Sequence, residues 1–225
     1  MPHAVVTGAS SGIGESIVDN LLAQGWQVTG LARSRVERAH PAFRSLQVDL
    51  SDEQALRQVL AEVQTPQAVI HAAGMMAAAP LGELDATTSQ RLWRLHVQAA
   101  EMLVNHFAPQ LQPGGRIVVI GSRTSRGAAG RSQYVATKAA LLGMVRSWAA
   151  ELAPRGITAN VVAPGATQTP MLSAPGRESS PPNVPPIGRL IAPREVAALV
   201  GFVLSPDAAA ITGQELVICG GASLT

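Results

Sequence analysis

The stretch "VVTGASSGIGESIVDNLLAQG", Val5 to Gly25, decides the fold. It opens on a β-branched run, passes glycines at 8, 12 and 14, and continues with apolar residues at helical spacing. Glycine is needed where a backbone turns sharply, and where a phosphate must approach the free N–H groups and positive dipole end of a helix. The spacing is Gly-x-x-x-Gly-x-Gly rather than the commoner Gly-x-Gly-x-x-Gly. A plain tight turn would also use glycine. Here strand, turn and helix stand in the order that phosphate binding requires, so the stretch reads as a nucleotide site.

The same rhythm runs to the end of the chain. The β-branched runs "HAVVT", "WQVTGLA", "SLQV", "QAVIHA", "RIVVIG", "ITANVVA" and "QELVIC" alternate with helical patterns at about 12–24, 52–63, 87–109, 134–153 and 193–204. Repeated βα units make a parallel sheet, and strands buried on both faces need helices on both faces. The expectation is a three-layer α/β sandwich. Ser51 before "DEQALRQVL" and Pro193 at a first helical position mark helix starts, while Pro154 with Gly156 ends a helix. Only Pro170 to Arg189, "PMLSAPGRESSPPNVPPIGR", has no period and no strand signal. It is expected to be a surface loop, either a passive connection or a substrate lid. No abrupt change of composition marks a linker, so residues 1–225 are expected to form a single domain.

Composition narrows the function classes. With 47% hydrophobic and 14% charged residues the chain should be globular, and a net charge of +2 from scattered arginines does not make a nucleic-acid surface. A small-molecule partner is expected instead. Cys219 is the only cysteine, which excludes an internal disulfide and any multi-cysteine metal site and fits a reducing compartment. No metal is expected. The start "MPHAVVTGASSG" has no basic flank and reaches the glycine loop at once, unlike a signal peptide. The run "AVIHAAGMMAAAPLG" is broken by His71, two glycines and Pro80 and is too short to span a bilayer, so a soluble cytoplasmic protein without a membrane partner is expected.

In "QYVATKAALLGM" Tyr134 stands four residues before Lys138, which puts both on one helix face whatever their purpose. The wider context comes from "TGASSGIG", "HAAG", "GRIVVIGS", "YVATK", "NVVAPGATQT" and "ITGQELVICGG". In this order and at these separations they resemble the short-chain dehydrogenases/reductases, in particular the 3-oxoacyl-acyl carrier protein reductase type. The resemblance implies one doubly wound Rossmann fold with a seven-stranded parallel sheet, assembled as a homotetramer or homodimer. By resemblance Gly8, Ser10, Ser11, Gly12, Ile13 and Gly14 line a pyrophosphate, and Asp49, with Leu50, meets the adenine. Ala73 and Gly74 would pass beside the ribose, and Pro164, Gly165, Thr167 and Thr169 would hold the nicotinamide. Asp49, after a strand, could also cap a helix.

The choice of cofactor turns on the end of the second strand, where an acid would bind a ribose 2′-hydroxyl and a guanidinium a 2′-phosphate. In "WQVTGLARSR" the acidic position is Ala32, followed by Arg33 and then Arg35. Arg33 can be solvated, but the missing acid favours NADP(H) over NAD(H).

Carbonyl reduction needs a hydride, which a nicotinamide supplies, and a proton on oxygen. A tyrosine titrates near 10 when free, so a nearby positive charge must lower it, and Lys138 stands one turn away. Tyr134 is the only tyrosine. By resemblance Ser122, at the C-terminal edge of the fifth strand, polarises the carbonyl. It lies twelve residues before Tyr134 rather than the family's thirteen, with Ser125 a weaker substitute. The family's asparagine in the preceding helix is His96 here, in "RLWRLHVQAAEML". His96 is either structural or a proton relay, since imidazole can both accept and donate near neutral pH. In "HAAG", His71 and Ala72 replace two asparagines, so the hydrogen bonding around the fourth strand must differ. The leading expectation is an NADP(H)-dependent reductase of a ketone or 3-oxoacyl group. An oxidative alcohol dehydrogenase using the same residues, or a nucleotide-binding sensor with weakened catalysis, are the alternatives. The proline-stiffened lid favours small or flat apolar substrates over carrier-bound ones.

Overall fold

The computed structural model describes residues 1–173 and 183–224. The chain opens with β1 (His3–Thr7), α1 (Gly12–Ala23), β2 (Gln27–Ala32), β3 (Phe43–Gln47), α2 (Glu53–Ala61) and β4 (Ala68–His71). It continues with α3 (Ala86–Trp93), α4 (Ala99–Phe107), β5 (Arg116–Ile120), α5 (Ser132–Leu152), β6 (Thr158–Pro164), α6 (Pro193–Leu204) and β7 (Glu215–Ile218). The strands form one parallel sheet in the order β3-β2-β1-β4-β5-β6-β7. The order reverses between β1 and β4, and at such a point the strand ends leave a crevice for a ligand.

Alternation along each strand builds two cores. On one face Val5, Val69, Ile117, Val119 and Val161 pack with Leu56, Leu103, Phe107 and Leu141 of α2, α4 and α5. On the other Ala4, Val6, Ile70, Val118 and Val162 pack with Ile17, Leu21, Val196 and Val200 of α1 and α6. Each fully buried aliphatic side chain contributes about 1.5–3 kcal/mol relative to exposure. That two-sided burial is the expected three-layer sandwich, doubly wound.

The structure departs from the sequence pattern in two places. The helical run expected at 87–109 is interrupted by a π turn, Arg94–Gln98, in which the Ala99 N–H reaches back to the Arg94 carbonyl. It places His96 and Val97 inside the fold. The N-cap of α2 is Asp52, whose carboxylate accepts the Ala55 N–H at 3.0 Å, and not Ser51, whose own N–H is taken by Asp49 Oδ1 at 2.9 Å. The carboxylate outcompetes the hydroxyl because an ionised acceptor makes the stronger cap bond. Of the expected lid, residues 174–182 lie outside the described residues; Pro170–Ser173 form a 3₁₀ turn. Among the described residues no helix is long and apolar enough to cross a membrane.

The glycine loop is held by contact as much as by conformation. Gly8 and Gly12 have φ of 70° and 59°, and a Cβ on Gly14 would stand 2.2 Å from the Gly8 carbonyl oxygen. The first turn of α1 is thus pressed directly on the end of β1. Gly14→Ala should lower the unfolding free energy by about 1–3 kcal/mol, as overpacking does. Urea denaturation checks this, and an unchanged midpoint would show that the loop relaxes freely.

Candidate active site

A cavity of about 490 Å³ opens at the C-terminal edge of the sheet, over the reversal between β1 and β4. Of the residues singled out from the sequence, its wall holds Gly8, Ser11, Gly12, Ile13, Gly14, Ala73, Gly74, Ser122, Tyr134, Lys138, Pro164, Gly165, Thr167 and Thr169. Four elements deliver them: the β1–α1 loop, the loop after β4, the end of β5 with the start of α5, and the loop after β6. Ser11 caps α1 without a side-chain cap bond, which leaves the N–H groups of the first turn to a ligand.

Lys138 and Tyr134 lie inside the first two turns of α5, both buried. The Lys138 ammonium donates 2.9 Å to the Ile120 carbonyl at the end of β5 and stands 5.9 Å from the centre of the Tyr134 ring. Burial lowers its pKa to about 8, so it is charged at neutral pH. Ser122 begins the 3₁₀ turn Arg123–Arg126, and its Oγ accepts the Thr124 N–H at 3.2 Å and lies 2.9 Å from Thr124 Oγ1. Both hydroxyls are buried in the cavity wall.

His96 does not line the cavity. Its Nε2 accepts the Met75 N–H at 2.9 Å, which fixes the proton on Nδ1; Nδ1 then donates to Thr137 Oγ1 at 2.8 Å, and that hydroxyl donates to the Tyr134 carbonyl at 2.8 Å. The ring meets Tyr134 edge-on at 5.7 Å. Burial, then the Lys138 charge, holds its pKa well below 6.5. With both nitrogens engaged and the ring neutral, the geometry favours the structural reading over the relay.

His71 belongs to a second network beside it. Thr7 and His71 are register partners across β1 and β4. Thr7 Oγ1 accepts the N–H groups of Ala72 and Ala73, each at 3.1 Å, so its own proton goes to His71 Nδ1 at 3.0 Å. His71 Nε2 is buried without completing a hydrogen bond, near the carbonyls of Leu95 and His96 in the π turn. Burial and the Lys138 charge lower its pKa to about 3.

Ser10, Arg33, Asp49 and Leu50 are not on the cavity wall. Ser10, Arg33 and Asp49 are exposed at the same sheet edge; Asp49 makes the turn to Ser51 and Leu50 is turned into the core. Arg33, the residue after β2, accepts Gln47 Nε2 at its carbonyl, at 3.0 Å, and is exposed. Sequence reasoning missed Met75, Met76, Arg123, Thr124, Arg131 and Ala222 in the wall. Thr124 was available from "GSRTS", since a hydroxyl two residues past Ser122 can cap the same turn. Lys138 is, in addition, the only lysine in the sequence.

Comparison with known proteins agrees with this geometry. A family model described as enoyl-(acyl carrier protein) reductase matches residues 8–223. The chain is 35% identical to the 3-oxoacyl-(acyl-carrier-protein) reductase FabG of Escherichia coli (strain K12), covering 97% of this chain and 96% of that one. It belongs to the short-chain dehydrogenase/reductase family. It is therefore an oxidoreductase working between alcohols and carbonyls with a nicotinamide cofactor. A blue fluorescent protein from a metagenomic library, solved with NADPH, superposes with a TM-score of 0.86 at 32% identity, covering 98% of this chain and 97% of that one. A 4-hydroxyisoleucine dehydrogenase solved with NADH has a TM-score of 0.89 over the whole of both chains, but at 23% identity that likeness shows the fold alone.

The cavity fits such a cofactor. The free helix N-terminus and the side-chain-free wall at Gly8, Gly12 and Gly74 suit a pyrophosphate and a sugar, and a Cβ on Gly12 would press on Thr169 at 3.1 Å.

The two buried neutral histidines make stability acid-sensitive. In the unfolded chain each takes a proton near pH 6.5, whereas in the fold His71 waits until about pH 3 and His96 until well below 6.5. The unfolded state therefore binds more protons below 6.5, so their stabilisation is complete above that pH and lost as pH falls. Each should cost about 1.4 kcal/mol per pH unit in that window. His96→Asn should remove one of the two contributions to the slope of unfolding free energy between pH 6 and 4.5; an identical slope in the variant would refute the neutral assignment.

Proposed function

We propose that the protein is an NADP(H)-dependent reductase of a ketone or 3-oxoacyl group, giving a secondary alcohol. The observation that carries this reading is the meeting of Ser122, Tyr134 and Lys138 at the end of β5, in the cavity that also holds the glycine loop. When bound, the cofactor supplies the hydride and takes it back in the reverse direction. Gly8, Ser11, Gly12, Ile13 and Gly14 would hold its pyrophosphate, Ala73 and Gly74 its ribose, and Pro164, Gly165, Thr167 and Thr169 its nicotinamide. Ser10 and Asp49 would flank the adenosine from the adjacent sheet edge, where Leu50, turned into the core, could offer only its backbone.

The chain's own residues do the rest. Ser122 Oγ accepts the Thr124 N–H, and with Thr124 Oγ1 as the donor of the second bond between them the Ser122 proton would be turned to the substrate oxygen. Tyr134 delivers the proton to that oxygen as the C–H bond forms, and the Lys138 ammonium stabilises the phenolate that remains. A carboxylate is missing at Ala32, and Arg33 is exposed beside it, which supports a 2′-phosphate. NADPH should be oxidised in the presence of a panel of ketones, with kcat/KM at least about 10-fold above that with NADH, roughly one charge-assisted pair. Tyr134→Phe should lower turnover by at least about 10²-fold, the usual scale of a positioned proton donor. A preference for NADH would reject the cofactor assignment, and full activity in Tyr134→Phe would reject the acid.

A further inference from the structure

The substrate end of the cavity carries charge that carbonyl reduction itself does not use. Arg123 directly follows Ser122, and its half-buried side chain lines the cavity. Nη1 donates to the Ala222 carbonyl at 3.0 Å, which ties the guanidinium to the C-terminal segment and uses one of its five N–H donors. Arg131, three residues before Tyr134, also lines the cavity, with a partner of its own. No Asp or Glu lines the cavity among the described residues. Glu215, the carboxylate that reaches this loop, is engaged by Ser125 Oγ at 2.9 Å and by Arg126 at 3.6 Å. Apolar Met75, Met76, Val184 and Pro185 line the cavity as well, with the polar Asn183 next to Val184. A guanidinium held in a cavity wall, as Arg123 is by Ala222, attracts an anion and selects the planar, two-oxygen geometry of a carboxylate.

We propose that the substrate is a small oxo-carboxylate, whose carboxylate pairs with Arg123 while its carbonyl lies between Ser122 and Tyr134. The proposal rests on the reductase reading of the same site and narrows it. The apolar character expected from the lid sequence then describes the remainder of the substrate, against Met75, Met76 and Val184. Arg123 directly follows Ser122 and both line the cavity, so the proposal puts the carboxylate and the carbonyl in one short chain.

The test compares 3-oxobutanoate with its neutral methyl ester, using NADPH and the full chain. The wild type should favour the acid in kcat/KM by about 10- to 100-fold, the range of a charge-assisted hydrogen bond. In Arg123→Met that ratio should fall towards one, while Arg123→Lys, which keeps the charge and loses the fork, should retain part of it. An ester turned over as well as the acid, or a ratio unchanged in Arg123→Met, overturns the proposal and leaves the reductase reading standing. If neither compound is turned over, that reading fails for both, and butanoate binding to the NADPH-loaded protein decides the carboxylate site by calorimetry. Binding weakened about 10-fold or more in Arg123→Met supports it; no detectable binding by the wild type overturns it.

Discussion

One buried hydrogen bond organises this molecule: the Lys138 ammonium on the Ile120 carbonyl, where β5 ends. An ammonium inside a protein is costly unless its donors are met, and among the described residues no carboxylate forms an ion pair with it. The carbonyl at the strand end meets one donor, and the crevice at the sheet edge is the place where the remainder can face a ligand. Its neighbours conform to that charge. Gly74 has no side chain where a Cβ would come within 3.7 Å of Nζ and 3.2 Å of His96 Nε2. His71 and His96 stay neutral, because burial and the same ammonium disfavour a second positive charge.

The two histidines also show how a network is rebuilt when its residues change. Thr7, His71 and the N–H groups of Ala72 and Ala73 tie the end of β1 to the end of β4 and the loop after it. Met75, His96, Thr137 and the Tyr134 carbonyl tie the loop after β4 to the start of α5. Every donor in the second chain has one direction, so the loop expected to carry the ribose and the turn that carries Tyr134 are held in fixed relation.

Much of this was legible in the sequence because it rests on period and on backbone. The alternation of β-branched and helical runs located all seven strands to within a few residues, and Gly8, Gly12 and Gly14 stand at the turn that their lack of side chains predicted. Ser122, Tyr134 and Lys138 were visible because strand ends and helix turns place them irrespective of neighbours. The π turn was not: one extra residue in a helix leaves the apolar pattern nearly unchanged, and its purpose is seen only when His96 is found pointing inward. Arg123 and Arg131 read as scattered surface charge, since linear sequence does not reveal which loop residues turn into a cavity. Asp49 and Arg33 stand at the right edge but outside the cavity wall, a distinction that depends on the direction of side chains after a strand.

The central claim, a desolvated ammonium beside the only phenol, can be read from a single signal. Lys138 is the only lysine, so lysine labelled with ¹³C at Cε gives one resonance in the folded protein, and its titration reports that ammonium alone. In the free protein the midpoint should lie near pH 8. A midpoint at the ordinary value of 10.5 would contradict the account.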